Sequence, residues 1–183
     1  VYTEVDILGT CVDKTDYIKR HIDEVLKLEL VDVEAIRAAG FRVAVDAVNS
    51  VGGVAIPALL EALGVECVEE LNCEPTGHFA HNPEPLPEHL TEIAEHIRKT
   101  KADVGFVVDP DVDRLAIVCE NGEMFGEEYT LVSIADYVLK HTPGNTVSNL
   151  SSTRALADVT AVYGGQYSAA AVGEVNVVAK MKE

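Results

Sequence analysis

The sequence predicts an α/β fold in which mixed, mostly parallel sheets are flanked by helices. Short apolar runs of strand length alternate with amphipathic segments of helical spacing along most of the chain. Glycine and proline residues mark many of the changes from one pattern to the other. Such alternation is typical of units in which a helix joins two parallel strands. Apolar residues make up 48% of the 183 residues, which is enough to form a core.

The first half of the chain predicts four helices and four strands. A helix begins near Asp16, which can cap it, and a second helix over residues 33–39 stops at Gly40. A third helix over residues 54–63 has Pro57 in its first turn. The fourth helix covers residues 88–99, and the strands cover residues 41–48, 65–71, 104–108 and 115–119.

The second half repeats the alternation. Helices are expected over residues 129–140, 153–163 and from 175 onward, and strands over residues 146–150 and 167–172. The natural division lies near Gly126, after the Asn-Gly turn that follows the strand over residues 115–119. The chain begins with Val1, and its last unit stops within the alternation, so we expect a fragment that is truncated at its C-terminus.

Charge and composition exclude several classes of partner. The 31 acidic residues against 14 Lys and Arg give a net charge of −17, which argues against nucleic acids and anionic membranes as main partners. No apolar run approaches a membrane span and no signal peptide is visible, so we expect a cytoplasmic protein.

The four cysteines are expected to be reduced thiols, because a domain of this size does not need disulfides. A zinc site could be formed by four residues, Cys67, Cys73, His78 and His81, but their spacing matches no familiar pair of zinc ligands. Buried thiols and hydrogen-bonding loop histidines are the simpler interpretation.

The most informative segment is the loop that follows the strand over residues 104–108. Asp109, Asp111 and Asp113 alternate in it, Pro110 restricts it, and Arg114 follows. Ligands of open α/β sheets bind beyond the carboxyl ends of strands. Three converging carboxylates repel one another, and a hard cation such as Mg²⁺ relieves that repulsion. Arg114 suits a phosphate group beside the metal. A solvated acidic turn is the alternative.

Two other kinds of site have a similar acidic loop. In a calcium loop of EF-hand type, Glu120 would be the twelfth residue of the loop. Arg114, however, occupies the sixth position, which is normally glycine, and the flanking segments are predicted strands rather than helices. These two departures exclude an EF-hand loop. In a phosphatase of the haloacid dehalogenase type, Asp109 would be the nucleophile and Asp111 the acid and base. That motif normally opens its domain, and no downstream pair of Lys and acid is evident here.

The segment from Asp109 to Arg114 resembles the D-G-D-G-D-R signature of the α-D-phosphohexomutase superfamily, which includes phosphoglucomutases, phosphomannomutases and phosphoglucosamine mutases. The resemblance covers nearly the whole chain, and the metal loop is its most specific part. The other segments that carry it are residues 43–53, 79–85, 88–90, 126–129, 152–154 and 172–175.

The resemblance implies an internal fragment of a four-domain enzyme that moves phosphate between positions of a hexose phosphate through a phosphoserine and a hexose bisphosphate. Residues 1–12 would be the tail of a preceding domain, 13–126 domain 2 and 127–183 the first part of domain 3. Asp109, Asp111 and Asp113 would hold Mg²⁺, and Arg114 would contact the phosphoserine or the substrate. No catalytic residue is expected in this chain, because the phosphoserine would lie outside it. Domains 1 and 4 would be its missing partners, and the chain alone would be inactive.

Several positions depart from the family pattern or keep simpler interpretations. Pro110 and Val112 replace two glycines of the metal loop. Ser151 and Glu174 stand where some members carry Lys and His, so their sugar contacts are not carried over. Asp46 and Asn49 are each expected to end a strand or cap a turn. Arg154 is expected to be an ordinary surface residue, although its position at a strand end also allows a ligand role. A non-catalytic α/β binding module, with the loop as a structural turn, is the alternative from another functional class.

Overall fold

The computed structural model describes residues 3–183, except for the side chain of Val5. Residues 1 and 2, where the predicted tail of a preceding domain begins, lie outside the described residues. Two short 3-10 turns cover Val5–Ile7 and Pro87–His89. The helices are α1 Tyr17–Val25, α2 Val33–Ala39, α3 Gly52–Leu63, α4 Thr91–Thr100, α5 Glu127–His141, α6 Ala155–Val162 and α7 Glu174–Met181. The strands are β1 Arg42–Asp46, β2 Glu66–Leu71, β3 Val104–Val108, β4 Leu115–Cys119, β5 Thr146–Asn149 and β6 Tyr167–Ala170.

The strands form two sheets, which confirms the predicted mixed, mostly parallel α/β architecture. The first sheet has the order β2-β1-β3-β4. Strand β1 is parallel to both β2 and β3, and β4 runs antiparallel to β3. The second sheet pairs β5 and β6 in parallel. The antiparallel pair follows from the short connection between β3 and β4, because a parallel return would need a crossover of a dozen residues or more.

The first sheet is covered on both faces, because alternate side chains of β1 point to opposite sides. Ala44 packs with α4, whose Ile93 and Ile97 are fully buried. Val43 and Val45 pack on the other face with Leu60 of α3. Strand β1 is therefore the centre of a three-layer sandwich, which explains its continuous run of small and β-branched apolar residues.

Most predicted elements are confirmed, and the exceptions have local causes. Helix α3 begins at Gly52 rather than residue 54, so Pro57 lies in its second turn and not its first. Asp16 precedes α1 but makes no capping hydrogen bond, because its carboxylate pairs with Arg20 at 2.6 Å. Helix α4 begins at Thr91, after the separate 3-10 turn. Gly40 ends α2 in the left-handed conformation, as expected.

The second unit contacts the first through α5. The hydroxyl of Tyr137 in α5 donates a hydrogen bond to the carbonyl oxygen of Leu30, at 2.9 Å.

Within residues 3–183, no helix has both the length and the apolar character needed to cross a bilayer.

The close approach of α3 to the loop after β2 predicts a strict requirement for glycine at position 53. A Cβ atom on Gly53 would lie 2.5 Å from the carbonyl carbon of Cys73, inside van der Waals contact. The Ala side chain would gain about 1 kcal/mol of helix propensity. Because the clash is with backbone, we expect it to outweigh that gain and Gly53→Ala to lower the free energy of unfolding by about 2 kcal/mol or more in urea titrations.

Gly144→Ala is the matched control, because a Cβ atom there meets nothing within 4 Å. We expect it to change the free energy of unfolding by less than about 0.5 kcal/mol. Equal effects of the two substitutions would contradict this packing argument.

Candidate metal and phosphate site

The loops that carry the candidate residues lie at one edge of the first sheet. Asp46 at the end of β1 is in register with Leu71 of β2 and with Val107 of β3. The loops that follow these three strands therefore leave the sheet side by side. This is the edge where open α/β sheets bind their ligands.

The acidic loop after β3 folds around Asp109. The backbone N–H of Val112 donates to the Asp109 carbonyl oxygen at 3.2 Å, and the N–H of Arg114 donates to Asp109 Oδ1 at 3.0 Å. Val112 has a φ of +63°, in the left-handed region that β-branched residues rarely adopt. The Asp109 side chain is buried, whereas Asp111 and Asp113 are exposed. The loop thus holds one carboxylate inside and two at the surface.

The three carboxylates converge, as the sequence predicted. One oxygen from each lies within 4.8 Å of the others, and within the described part of the chain no other group of His, Cys, Asp or Glu converges in this way. A hydrogen bond shared with Asp109 and the negative charge of Asp111 raise the pKa of Asp113, whereas Arg114 opposes the rise. The rise shows that the three carboxylates crowd one another's negative charge in the absence of a cation.

This donor set fits Mg²⁺. Ligand oxygens of an octahedral ion with bonds of about 2.1 Å lie about 3 to 4.2 Å apart. Small rotations of the exposed Asp111 and Asp113 side chains can meet that spacing. All three donors are hard oxygens, which a thiolate-preferring metal does not favour. Three protein ligands leave positions open for other oxygens.

Arg114 lies beside the carboxylates, on an open cleft. Its Nη1 lies 3.3 Å from Glu84 Oε1 and its Nε 3.9 Å from Asp113 Oδ1, and the side chain is 60% exposed. The cleft has a volume of about 340 Å³ and is lined by residues 82–84 and the acidic loop. A guanidinium held by one exposed carboxylate can exchange that partner for a phosphate oxygen.

Sequence reasoning gave Asp46 and His81 only structural roles, yet the structure brings them together at this edge. Asp46 is 1% exposed, and His81 Nε2 lies 3.1 Å from its Oδ2. Asn72, at the end of β2, donates its side-chain N–H to the same carboxylate. His81 is thus a hydrogen-bonding loop residue, as expected. The available signal was a charged residue at the end of an apolar run in a strand, since a buried carboxylate needs partners.

The alternative zinc set does not assemble in the described residues. The thiol of Cys67 contacts the Glu69 carbonyl oxygen at 3.6 Å, and that of Cys73 contacts the Leu71 carbonyl oxygen at 3.3 Å. Burial, together with the negative charge of Glu70, raises the pKa of Cys73 to about 12. These are half-buried, protonated thiols and not metal ligands.

The second unit forms a smaller polar cleft at the carboxyl end of β5. Asn149 Oδ1 accepts hydrogen bonds from Ser151 and Ser152, which shapes the turn. The cleft has a volume of about 270 Å³ and includes both serines. Arg154 is 87% exposed and pairs with Asp158 on its own helix, as a surface residue would. Glu174 is exposed in the first turn of α7.

Comparison with known proteins identifies similar sequences along nearly the whole chain. Residues 19–122 match the family profile described as phosphoglucomutase/phosphomannomutase, alpha/beta/alpha domain II, and residues 126–183 match the profile for domain III. A probable phosphoglucosamine mutase from Methanopyrus kandleri is 30% identical over 100% of this chain and 39% of its own length. A phosphoglucomutase/phosphomannomutase from Thermococcus kodakarensis is 34% identical over 93% of this chain and 37% of its own length.

A solved structure is similar as well. The crystal structure of a phosphoglucomutase/phosphomannomutase family protein from Burkholderia thailandensis aligns with a TM-score of 0.72 and 31% identity, covering 88% of this chain and 35% of that protein. The chain thus spans less than two fifths of the length of these relatives.

The charge crowding predicts an unusual pH dependence for Asp113→Asn. A carboxyl group with a raised pKa in the folded state binds more protons than it does in the unfolded chain. Stability is therefore lost as pH rises from the ordinary value of 3.8 through the raised pKa. We expect Asp113→Asn, measured in EDTA by urea unfolding, to be more stable than the parent chain at pH 7, with the difference closing near pH 3.

Asp13→Asn is the control, because it removes one exposed acidic group far from this loop in sequence. Adding Mg²⁺ should stabilise the parent chain, as a ligand of the folded state does, and should stabilise Asp113→Asn less. A pH profile of Asp113→Asn that matches the parent chain in EDTA would refute this account of the loop.

Proposed function

The chain belongs to the phosphoglucomutase/phosphomannomutase family of the phosphohexomutase superfamily, and on that premise we propose that it supplies the magnesium-binding and phosphate-contacting loop of a phosphohexomutase. The observation that supports this proposal is the convergence of three carboxylates beside Arg114 on an open cleft. In this proposal Asp109, Asp111 and Asp113 hold the ion.

Each residue has a distinct part in the proposed site. Asp109 is held by the backbone of its own loop and gives the ion one buried ligand. A bound ion would oppose the rise in the pKa of Asp113, because the three negative charges would then face a cation instead of one another. The ion, when bound, supplies a Lewis acid for a phosphoryl oxygen. Arg114 exchanges Glu84 for a phosphate oxygen and offsets the charge of the transferring group.

We propose hexose phosphates and hexose bisphosphates as the substrates. Relatives that bear the names phosphoglucosamine mutase and phosphoglucomutase/phosphomannomutase support this class without choosing among the sugars. The phosphoserine and domains 1 and 4 would come from outside these 183 residues, and the isolated chain would bind ligands without turning them over. We also propose a boundary between units near Gly126 and a cytoplasmic location, which suits four free cysteines.

The phosphatase alternative fits this geometry less well. An attacking carboxylate must approach phosphorus in line from an accessible position. Asp109 is 6% exposed, and its Oδ1 already accepts a backbone hydrogen bond. Its environment suits a metal ligand better than a nucleophile.

The metal proposal predicts that Asp111→Asn abolishes or strongly weakens Mg²⁺ binding. Loss of one anionic ligand should lower the affinity at least about tenfold, equivalent to about 1.4 kcal/mol. Isothermal titration of the chain with MgCl₂ at pH 7.5 measures this, with Asp13→Asn as the control of equal charge change. Identical titrations for Asp111→Asn and the parent chain would refute the metal site.

The phosphate proposal predicts that Arg114→Ala weakens Mg²⁺-dependent binding of α-glucose 1,6-bisphosphate by about tenfold, since charge-assisted hydrogen bonds are lost. Arg154→Ala is the matched control, because Arg154 is exposed in the second unit. The titration is repeated in EDTA, where binding should be weaker. Hydrolysis of an aryl phosphate by the parent chain, abolished by Asp109→Asn, would instead support the phosphatase.

A further inference from the structure

Asp46 is a buried carboxylate with a complete set of partners. Its Oδ1 accepts the backbone N–H of Val48 at 3.1 Å, and Asn72 Nδ2 lies 3.2 and 3.3 Å from its two oxygens. His81 Nε2 lies 3.1 Å from Oδ2. A buried carboxylate without a cationic or hydrogen-bonding partner would be strongly destabilising. The partners come from three segments, so Asp46 ties the ends of β1 and β2 to the loop that contains His81.

The imidazole ring of His81 joins two acceptors. Its Nδ1 lies 2.8 Å from the Asn82 carbonyl oxygen, and Nε2 faces the Asp46 carboxylate. Because a carbonyl and a carboxylate both accept hydrogen bonds, each contact is satisfied when the ring nitrogen that faces it carries a proton. Its side chain is 17% exposed, so the contact with Asp46 is partly shielded from water, whereas the contact with the Asn82 carbonyl oxygen is exposed. The ring therefore fixes the direction in which the chain continues from His81.

The residues after His81 lead directly to the arginine of the metal loop. Asn82 Oδ1 accepts the backbone N–H of Glu84 at 3.0 Å, which closes a tight turn. Glu84 Oε1 then accepts a hydrogen bond from Arg114 Nη1 at 3.3 Å. A continuous set of contacts thus runs from the buried Asp46 through His81, Asn82 and Glu84 to an exposed guanidinium.

We propose that His81 is a positioning residue for Arg114: the ring anchors the segment 81–84 on Asp46, and Glu84 in that segment holds the guanidinium at the edge of the acidic cleft. Only the role of Arg114 in phosphate binding rests on the function proposed above. The anchoring itself is a property of this chain without any ligand.

The second half of the loop needs such an anchor, because Asn49 holds only the first half, through hydrogen bonds with Asn72, Gly77 and His78. Between β2 and the 3-10 turn at Pro87–His89 the loop has no regular structure, and a free loop of this length has high conformational entropy. Without the His81 contact, the turn at Glu84 would be tied to the neighbouring loop through its exposed pair with Arg114. An exposed ion pair alone contributes little and does not order two long side chains.

The test measures the order of the Arg114 side chain directly. The {¹H}-¹⁵Nε NOE of arginine is recorded on the 183-residue chain without metal or phosphate, with Arg154 as the internal reference for an exposed arginine. We expect the Arg114 NOE to exceed that of Arg154 in the parent chain. In His81→Ala it should fall to the Arg154 value, and in His81→Gln, whose amide can still donate to Asp46, it should be largely retained.

Two further variants separate positioning from a general effect on the loop. His78→Ala is the matched control, because His78 lies in the same loop and its ring makes no hydrogen bond to any residue of 3–183. It should leave the Arg114 NOE unchanged. Glu84→Gln should lower it, and adding His81→Ala to Glu84→Gln should lower it no further, because both act through one contact.

Three outcomes of these NOE measurements would contradict the positioning role of His81. The proposal would be overturned by an unchanged Arg114 NOE in folded His81→Ala or by an equal loss of the NOE in His78→Ala. It would also be overturned if the losses of the NOE in His81→Ala and Glu84→Gln were additive. If His81→Ala does not fold because Asp46 is left unpaired, Asp46→Asn combined with His81→Ala removes the buried charge as well and should show the same loss. Because no ligand is present, failure of the proposed function, seen in the Mg²⁺ and bisphosphate titrations, leaves this result unaffected.

Discussion

The hydrogen bonds that pair β1 in parallel with β2 on one side and β3 on the other determine where the chemically active residues of this chain lie. In this register Asp46 is opposite Leu71 and Val107, so the residues that follow each strand leave at the same edge. Asn72 therefore contacts Asp46, and the loop that begins at Asp109 leaves the sheet beside them, although these residues are far apart in sequence. An antiparallel β1 would have sent its loop to the opposite edge, and neither the acidic cleft nor its supporting contacts could form.

The carboxylates at this edge of the sheet lie in two different kinds of environment. Asp46 is buried and fully compensated by groups of the protein itself, so it supports the structure. Asp109, Asp111 and Asp113 are compensated only in part, and the raised pKa of Asp113 reflects that shortage. A chain with a net charge of −17 repels anions at long range. The proposed cation at the uncompensated cluster, next to Arg114, would reverse that field locally for a phosphorylated ligand.

The acidic loop keeps its shape although Pro110 and Val112 stand where the family signature has glycine. Val112 adopts a left-handed conformation that costs a β-branched residue about 1–2 kcal/mol. Its side chain lines an apolar groove with α1 and α3, and burial there offsets part of this strain. Gly52 at the start of α3 leaves space for Val108, the last residue of β3 before the loop, since a Cβ atom on it would lie 2.5 Å from Val108 Cγ2. The loop and the helix thus depend on one another.

Local patterns in the sequence were sufficient for the elements and for the acidic loop. The bounds of α2, β3 and β4 agree with the predicted ones, because glycine caps, apolar runs and an Asn-Gly turn act over a few residues. The three carboxylates and Arg114 are contiguous, so their convergence required only that the loop be short. The start of α3 was misplaced, since two glycines conceal a helical turn that packing against the Cys73 backbone stabilises.

Local sequence patterns did not predict the long-range contacts, because these contacts depend on the order of the strands in the sheet. His81 meets Asp46 across 35 residues, and Arg114 meets Glu84 across 30. No periodicity or spacing connects these positions, and only the side-by-side exit of the loops from the sheet brings them together. The sequence by itself identified the residues that we propose to bind a cation and a phosphate. The tertiary structure alone decided which residues hold them in place, because only the assembled sheet brings the two loops into contact.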